Sequence, residues 1–400
     1  MKSLISLGLR FSGSGLTLLT TVILTRKWDL ESTGKFFLFY SMYRVIAGFG
    51  SSVFVRRTIR DVAKSDPSEW HTLGHQIFND KVVFFLVALL SAFPIALILS
   101  FMDLINPVIP LVLISALMML SLQFTSSMLQ GTFQSNLSIF VEFILVPVLF
   151  LFALVMAPTT ISPTYCHVFA LLISCVVTFI FSFKFISFSK LTIKFPSIES
   201  EDYTFIGTRI VNVIQNNVIM LISPFVLTNS QIGIVGVLLR FYTVSNSVLD
   251  GMSSNYSSRF SKAFHSGNYE KLLKLFKESQ LYSVISYLPV LFIYIFLGRY
   301  IAKFMNLDGQ IEHLLIGIGL IGLINVFTNL SGSMLLVSHQ QKVVLQSYIV
   351  SLLVLVGLYW PMVSLFSLWG FVIAFGVYQF VKQGMLYLKG KQLLESMRKL

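Results

Sequence analysis

Twelve stretches of this chain are long and apolar enough to cross a bilayer as single helices, and that leaves few choices of fold. Crossing takes about 20 apolar residues, and hydrocarbon offers no water to satisfy backbone polar groups, so each crossing must be a helix. The stretches lie near residues 4–25, 34–55, 81–102, 108–130, 139–157, 165–187, 203–227, 232–254, 279–298, 311–337, 343–363 and 367–388. A chain that is 55% hydrophobic and only 12% charged cannot cover a soluble domain with polar surface. The expected fold is an all-α polytopic membrane protein, with about twelve transmembrane helices in two six-helix bundles around a central cleft.

The stretch from Lys184 to Tyr203 carries Lys190, Lys194, Pro196, Glu199, Glu201 and Asp202 and is the clearest polar break. It predicts an N-terminal lobe over 1–190, a cytoplasmic linker over 191–202 and a C-terminal lobe over 203–400. An offset of 199 residues pairs Gly8/Gly207, Arg10/Arg209, Ile23/Ile222, Gly34/Gly233, Tyr43/Tyr242, Val45/Val244 and Arg60/Arg259. These identities barely exceed chance, but the set pairs two intramembrane arginines, as an internal repeat would.

Of the 29 Lys+Arg, Arg26, Lys27, Lys35, Arg299 and Lys303 fall on one side of this map and four arginines fall within spans. All the others share the opposite side. The positive-inside rule makes that side cytoplasmic, with both termini there. The net charge of +12 is then an orientation signal and an attraction to anionic inner-leaflet lipids, and needs no nucleic acid. The first apolar stretch is long, carries Arg10 and lacks a small-residue cleavage site, so it reads as a retained helix rather than a signal peptide. Cys166 and Cys175 share one span, nine residues apart, which suits free packing thiols.

A cation at the bilayer centre costs roughly 2.5 to 3.5 kcal/mol on insertion scales, so Arg10, Arg44, Arg209 and Arg240 are the best pointers to function. At 100° per residue, Ser3, Ser6, Arg10, Gly13, Ser14, Thr17 and Thr21 share one stripe of the first span, and Arg209, Asn212, Asn216 and Ser223 share one of the seventh. Tyr40, Arg44, Gly48 and Ser51 align in the second span; Arg240, Thr243, Ser247, Asp250 and Ser254 align in the eighth. Four such stripes fit a hydrated cleft whose arginines bind an anion. For the small residues, close helix packing explains the stripes as well. Asn325 and Asn329, one turn apart, suit either a sugar or interhelical hydrogen bonds. Glu142 and Asp250 are the intramembrane acids and the candidates for H+ or Na+ coupling; Asp250 is equally a partner for Arg240 or Arg44.

Other motifs are weak. Gly317, Gly319 and Gly322 match a dinucleotide-binding pattern but sit in an apolar span with no preceding strand, so they read as helix-packing positions. His71 and His75 share a helix face without a third metal ligand. No metal site, cofactor or catalytic constellation emerges. Beyond the eighth span, Leu272, Leu273 and Phe276 alternate with Lys271, Lys274 and Lys277, which suits a helix lying on the inner leaflet or a solvated connector.

The run Ile23-Leu24-Thr25-Arg26, then Gly34, then Gly48-Phe49-Gly50 before Arg56-Arg57, resembles the start of the Wzx-type O-antigen and polysaccharide flippases. Ser261-Lys262-Ala263 followed by Gly267-Asn268-Tyr269-Glu270 is similar to their second half. The resemblance spans the chain and extends loosely to a superfamily that includes multidrug extruders. It implies a flippase rather than an enzyme, in the bacterial inner membrane. The implied cargo is an undecaprenyl-diphosphate-linked oligosaccharide, and the implied partners are a polysaccharide polymerase and a chain-length regulator. On that reading Arg10 and Arg209, one per lobe, would grip the diphosphate. A cation-coupled drug exporter shares the architecture, and a polysaccharide polymerase would want a larger outer loop.

Reporters fused after residue 400 and within residues 184–203 are expected to report cytoplasm. An externally active reporter at either site overturns the topology.

Overall fold

The computed structural model describes residues 2–64, 109–132, 134–182, 200–307 and 310–398, and among them there is no strand. The helices are α1 (Lys2–Lys27), α2 (Leu30–Lys64), α3 (Ile109–Gly131), a composite α4, α5 (Pro163–Ser182), α6 (Ser200–Ile222), α7 (Asn229–His265), α8 (Tyr269–Phe304), α9 (Gln310–Val337), α10 (Gln341–Phe366) and α11 (Leu368–Arg398). The α4 run joins Ser135–Ile139, a π-helical turn Phe140–Leu145 and Val146–Met156. Eight of these helices have the length and apolarity of a membrane span; α1, α2 and α7, which carry Arg10, Arg44 and Arg240, are not among them. The polytopic all-α fold is as expected. The span near 81–102, His71 and His75, the break after Lys64 and most of the 191–202 linker lie outside the described residues.

Helix boundaries follow local chemistry. Asp29 Oδ1 accepts the backbone N–H of Ser32 at 2.9 Å and starts α2. Thr228 starts α7 through a reciprocal box in which Thr228 Oγ1 accepts from Gln231 N and Gln231 Oε1 accepts from Thr228 N. Such caps satisfy donors that a first turn leaves open. Between α6 and α7, Pro224 lacks an N–H, so the seventh span ends in a short 3-10 turn, Ser223–Phe225, rather than running to 227. α7 ends where Gly267 takes a φ of +65°, with Gly267 N bonded to Phe264 O and Asn268 N to Ala263 O, a left-handed cap that glycine tolerates without strain. Asn268 Oδ1 then caps α8 by accepting Lys271 N at 2.9 Å.

One expectation is corrected here. The basic segment after the eighth span is not a separate helix on the membrane: Tyr269–Phe304 is one helix of 36 residues. Leu272 and Phe276 are buried with Phe260, Leu330, Met334 and Leu394, because protein rather than lipid takes up that apolar stripe.

The chain divides into two compact units, Met1–Trp28 with Lys35–Leu221, and Asp29–Gly34 with Ile222–Leu400. This division counts α6 with the first unit. There α1 packs on the α4 run, and α5 packs on both α3 and α4. In the second unit α9 packs against α7, α8 and α11, and α10 against α11. Gly319 and Gly322 lie against the rings of Tyr294 and Tyr287, with Tyr287 Oη donating to Gly319 O at 3.0 Å, which is the packing role rather than a nucleotide loop.

The second unit also contains a reciprocal glycine contact. A Cβ on Gly34 would strike Asn229 O and one on Gly233 would strike Leu30 O. The first turns of α2 and α7 therefore touch backbone to backbone. Because overpacking a tight helix crossing forces backbone shifts costing about 1 to 3 kcal/mol, Gly34→Val and Gly233→Val should each lower membrane abundance several-fold. Gly15→Ala, with nothing within 4 Å, should leave it unchanged. Equal abundance in a quantitative immunoblot would contradict the crossing.

Candidate functional site

The polar side chains of the first unit collect around α1, α2 and the π-turn of α4. Pro147 removes a donor just past Leu145, and the turn before it widens from α to π. Glu142 sits in that turn. Its Oε2 accepts from Ser126 Oγ at 3.0 Å, and Ser126 Oγ lies 2.8 Å from Ser138 Oγ. α1 approaches the same turn closely, since a Cβ on Gly13 would stand 2.5 Å from Phe143 O. One turn away, the Arg10 guanidinium lies over the Phe143 ring at 5.9 Å, and its Nε is buried without a hydrogen-bond partner.

On α2, Arg44 is exposed while Tyr43 and Val45 beside it are buried. Arg44 Nη1 donates to Tyr40 Oη at 2.9 Å and the guanidinium lies 5.4 Å from that ring. Tyr43 Oη meets Nε2 of the buried His167 at 2.7 Å, and Phe36, Tyr40 and Phe150 surround the imidazole. No sequence pattern marked His167, which lies alone on an apolar span of α5. α6 reaches α2 at Gly48, where an added Cβ would strike Val213. One turn from Val213, Arg209 is exposed over the Phe205 ring at 5.8 Å. Asn216 is exposed and Asn212 half-buried on the same helix.

Arg10, Arg44 and Arg209 thus belong to one unit, and Arg240, half-buried on α7, to the other. The hydroxyls of the α1 stripe serve the helix itself: Thr17 donates to Gly13 O at 2.9 Å, and Thr20 and Thr21 donate to Thr17 O. Ser14 is half-buried, and on α7 Ser247 donates to Val244 O. Asn325 is committed to its neighbours. Its Nδ2 donates to Tyr242 Oη and to Asn246 Oδ1, and its Oδ1 accepts from Gln383 Nε2 at 2.9 Å, while Thr328 Oγ1 donates to Gln383 Oε1 at 3.0 Å. That network ties α7, α9 and α11 together. Asp250 lies on α7 and Asn329 on α9, but their side chains lie outside the described residues. Among the described residues no three His, Cys, Asp or Glu side chains gather as a metal site, and Cys166 and Cys175 are free thiols.

A rim contact fixes the far end of α1. Lys27 Nζ donates to Leu154 O at 2.7 Å, to Val155 O at 3.0 Å and to Ala157 O, so a cation covers the C-terminal carbonyls of α4, where the helix dipole favours it. Trp28 Nε1 donates to Ile161 O at 3.0 Å beside it.

No protein-family model and no curated protein matches this chain. Its fold matches solved transporters. An inward-facing multidrug resistance MATE family transporter of the MOP superfamily aligns with a TM-score of 0.74 over 99% of both chains at 16% identity. A MATE structure in the bent conformation aligns at 0.66 over 99% of this chain and 94% of its own, with 15% identity. An outward-facing member aligns at 0.62 over 100% and 96%, with 17% identity. This chain therefore shares the fold of the solved MATE transporters.

The network around Asn325 separates structural from available polar groups. Asn325→Ala removes the acceptor of the buried Gln383 amide, at about 1 to 3 kcal/mol when unsatisfied. Its thermal midpoint in detergent should fall by several degrees, whereas Asn216→Ala should unfold like the wild type. An unchanged midpoint for Asn325→Ala would show the network to be dispensable.

Proposed function

We propose that this chain is an alternating-access exporter of a densely anionic, lipid-linked cargo. The cargo is an oligosaccharide on undecaprenyl diphosphate, moved from the cytoplasmic to the outer leaflet of a bacterial inner membrane. The carrying observation is the trio Arg10, Arg44 and Arg209, three guanidinium groups on helices of one unit, each lying on an aromatic ring. A ring contact holds the plane of a guanidinium while leaving N–H donors at its edge, and those donors suit phosphate oxygens bidentately at any cellular pH. Glu142, which accepts from Ser126 Oγ in the π-turn of α4, and Asp250 on α7 are the candidates for H+ or Na+ coupling. Together with the resemblance to polysaccharide flippases, the three arginines favour an anion over a cationic drug. No cofactor is required, and a polymerase and chain-length regulator would act on the exported product.

Ion-coupled multidrug export is the second reading. The solved neighbours, described as multidrug resistance transporters, favour it when the fold alone is weighed.

The two readings separate in a strain lacking the protein. The first expects undecaprenyl-diphosphate-linked oligosaccharide to accumulate on the cytoplasmic leaflet; the second expects drug sensitivity with normal surface polysaccharide. Losing a charge-assisted hydrogen bond costs about 1.5 to 3 kcal/mol, or ten- to a hundredfold in binding. Arg10→Ala and Arg209→Ala should abolish surface polysaccharide at near-normal abundance. Lysine at either position should restore part of it, keeping the charge without the fork. Full activity in the double alanine variant at normal abundance would refute the first reading.

A further inference from the structure

The continuous α8 carries a charge pattern independent of the cargo. From Leu281 to Tyr300 its exposed side chains are mostly apolar and include Leu281, Ile285, Leu288, Phe292 and Phe296. At 1.5 Å per residue this band is about 29 Å long, close to the ~30 Å hydrocarbon core. Arg299 and Lys303 mark one end of it. Beyond the other end, Lys277, Lys274 and Lys271 are exposed and lie about 6, 10 and 15 Å past Leu281 along the helix. The headgroup layer adds about 5 to 8 Å on each side of the core, so Lys277 lies within it, while Lys274 and Lys271 lie beyond it and their long stems reach back toward it.

The opposite side of the same turns explains why the lysines are held outward. Leu272, Leu275 and Phe276 are buried in the core formed with Phe260, Met334 and Leu394, which fixes the rotation of the helix. None of the three lysines makes an ion pair or side-chain hydrogen bond among the described residues. Glu270 and Glu278 flank them, but Arg259 and Lys262 at the end of α7 are also exposed, so this rim stays net positive.

We propose that Lys271, Lys274 and Lys277 form a docking stripe for anionic phospholipid headgroups at the basic end of the second unit. A row of lysines on a rigid helix, rising from the headgroup layer with stems that reach back to it, attracts phosphodiester charge more strongly than the same lysines on a flexible loop, because little ordering remains to be done on binding. Held there, the lipid anchors the end of the α7–α8 hairpin at the membrane surface.

The test uses the full chain in neutral detergent, titrated with phosphatidylglycerol or phosphatidylcholine and read by thermal unfolding and native mass spectrometry. Wild type should retain phosphatidylglycerol preferentially and gain several degrees from it. The variant K271Q/K274Q/K277Q should bind it at least about tenfold more weakly, and K271R/K274R/K277R should restore the preference. Raising salt from about 50 to 300 mM should strip phosphatidylglycerol selectively from wild type, a readout independent of any effect of the variants on folding. The proposal fails if the glutamine variant keeps the wild-type preference, if salt releases both lipids alike, or if inorganic phosphate alone reproduces the stabilisation.

Discussion

Hydrocarbon offers no hydrogen bonds, and every other feature of this fold is a way of living with that. Each span is a helix because a helix closes its own backbone bonds, and the hydroxyls of Thr17, Thr20, Thr21, Ser174 and Ser245 bond carbonyls of their own helices. Where a proline breaks the pattern, the chain adjusts locally. Pro147 is preceded by a π-turn and Pro224 sits in a 3-10 turn. With no hydrophobic drive between helices in lipid, association depends on close contact, which glycine supplies at Gly13, Gly34, Gly48, Gly233, Gly319 and Gly322.

The offset of 199 residues gains physical content from the helix starts. α2 begins at Leu30 and α7 at Asn229; Asp29 and Thr228 cap them, and Ser32 and Gln231 supply the capped backbone N–H. Gly34 and Gly233, equivalent under the same offset, are in mutual contact. Caps and close crossings tolerate only a few residue types, which is why these positions match under the offset.

The polar residues of the spans divide into two kinds. Asn325, Gln383, Thr328 and Tyr242 satisfy one another and join helices, the usual fate of amides in a bilayer. Arg10, Arg44 and Arg209 each lie over an aromatic ring, and Glu142 sits in the π-turn of α4. Under the proposed function an anionic cargo offsets the cost of placing guanidinium groups within apolar stretches.

The sequence by itself determined the all-helical membrane fold, since long apolar runs admit no other backbone, and nearly every described helix covers an expected span. It also singled out the arginines, because charge inside an apolar run stands out without any three-dimensional information. It misplaced helix ends: α7 and α8 run well past their apolar stretches, for the Gly267 turn and the buried Leu272 and Phe276 stripe, not hydropathy, set the boundary there. Only the tertiary structure decided which polar residues are spent on one another. Asn325 and Asn216 look alike in sequence, yet one is locked by partners 58 and 79 residues distant and the other is exposed. His167 and the Ser126–Glu142 bond were equally invisible. A hydrogen bond needs atoms within about 3 Å, and the spacing of residues along one helix says nothing about which side chain the next helix will bring to it.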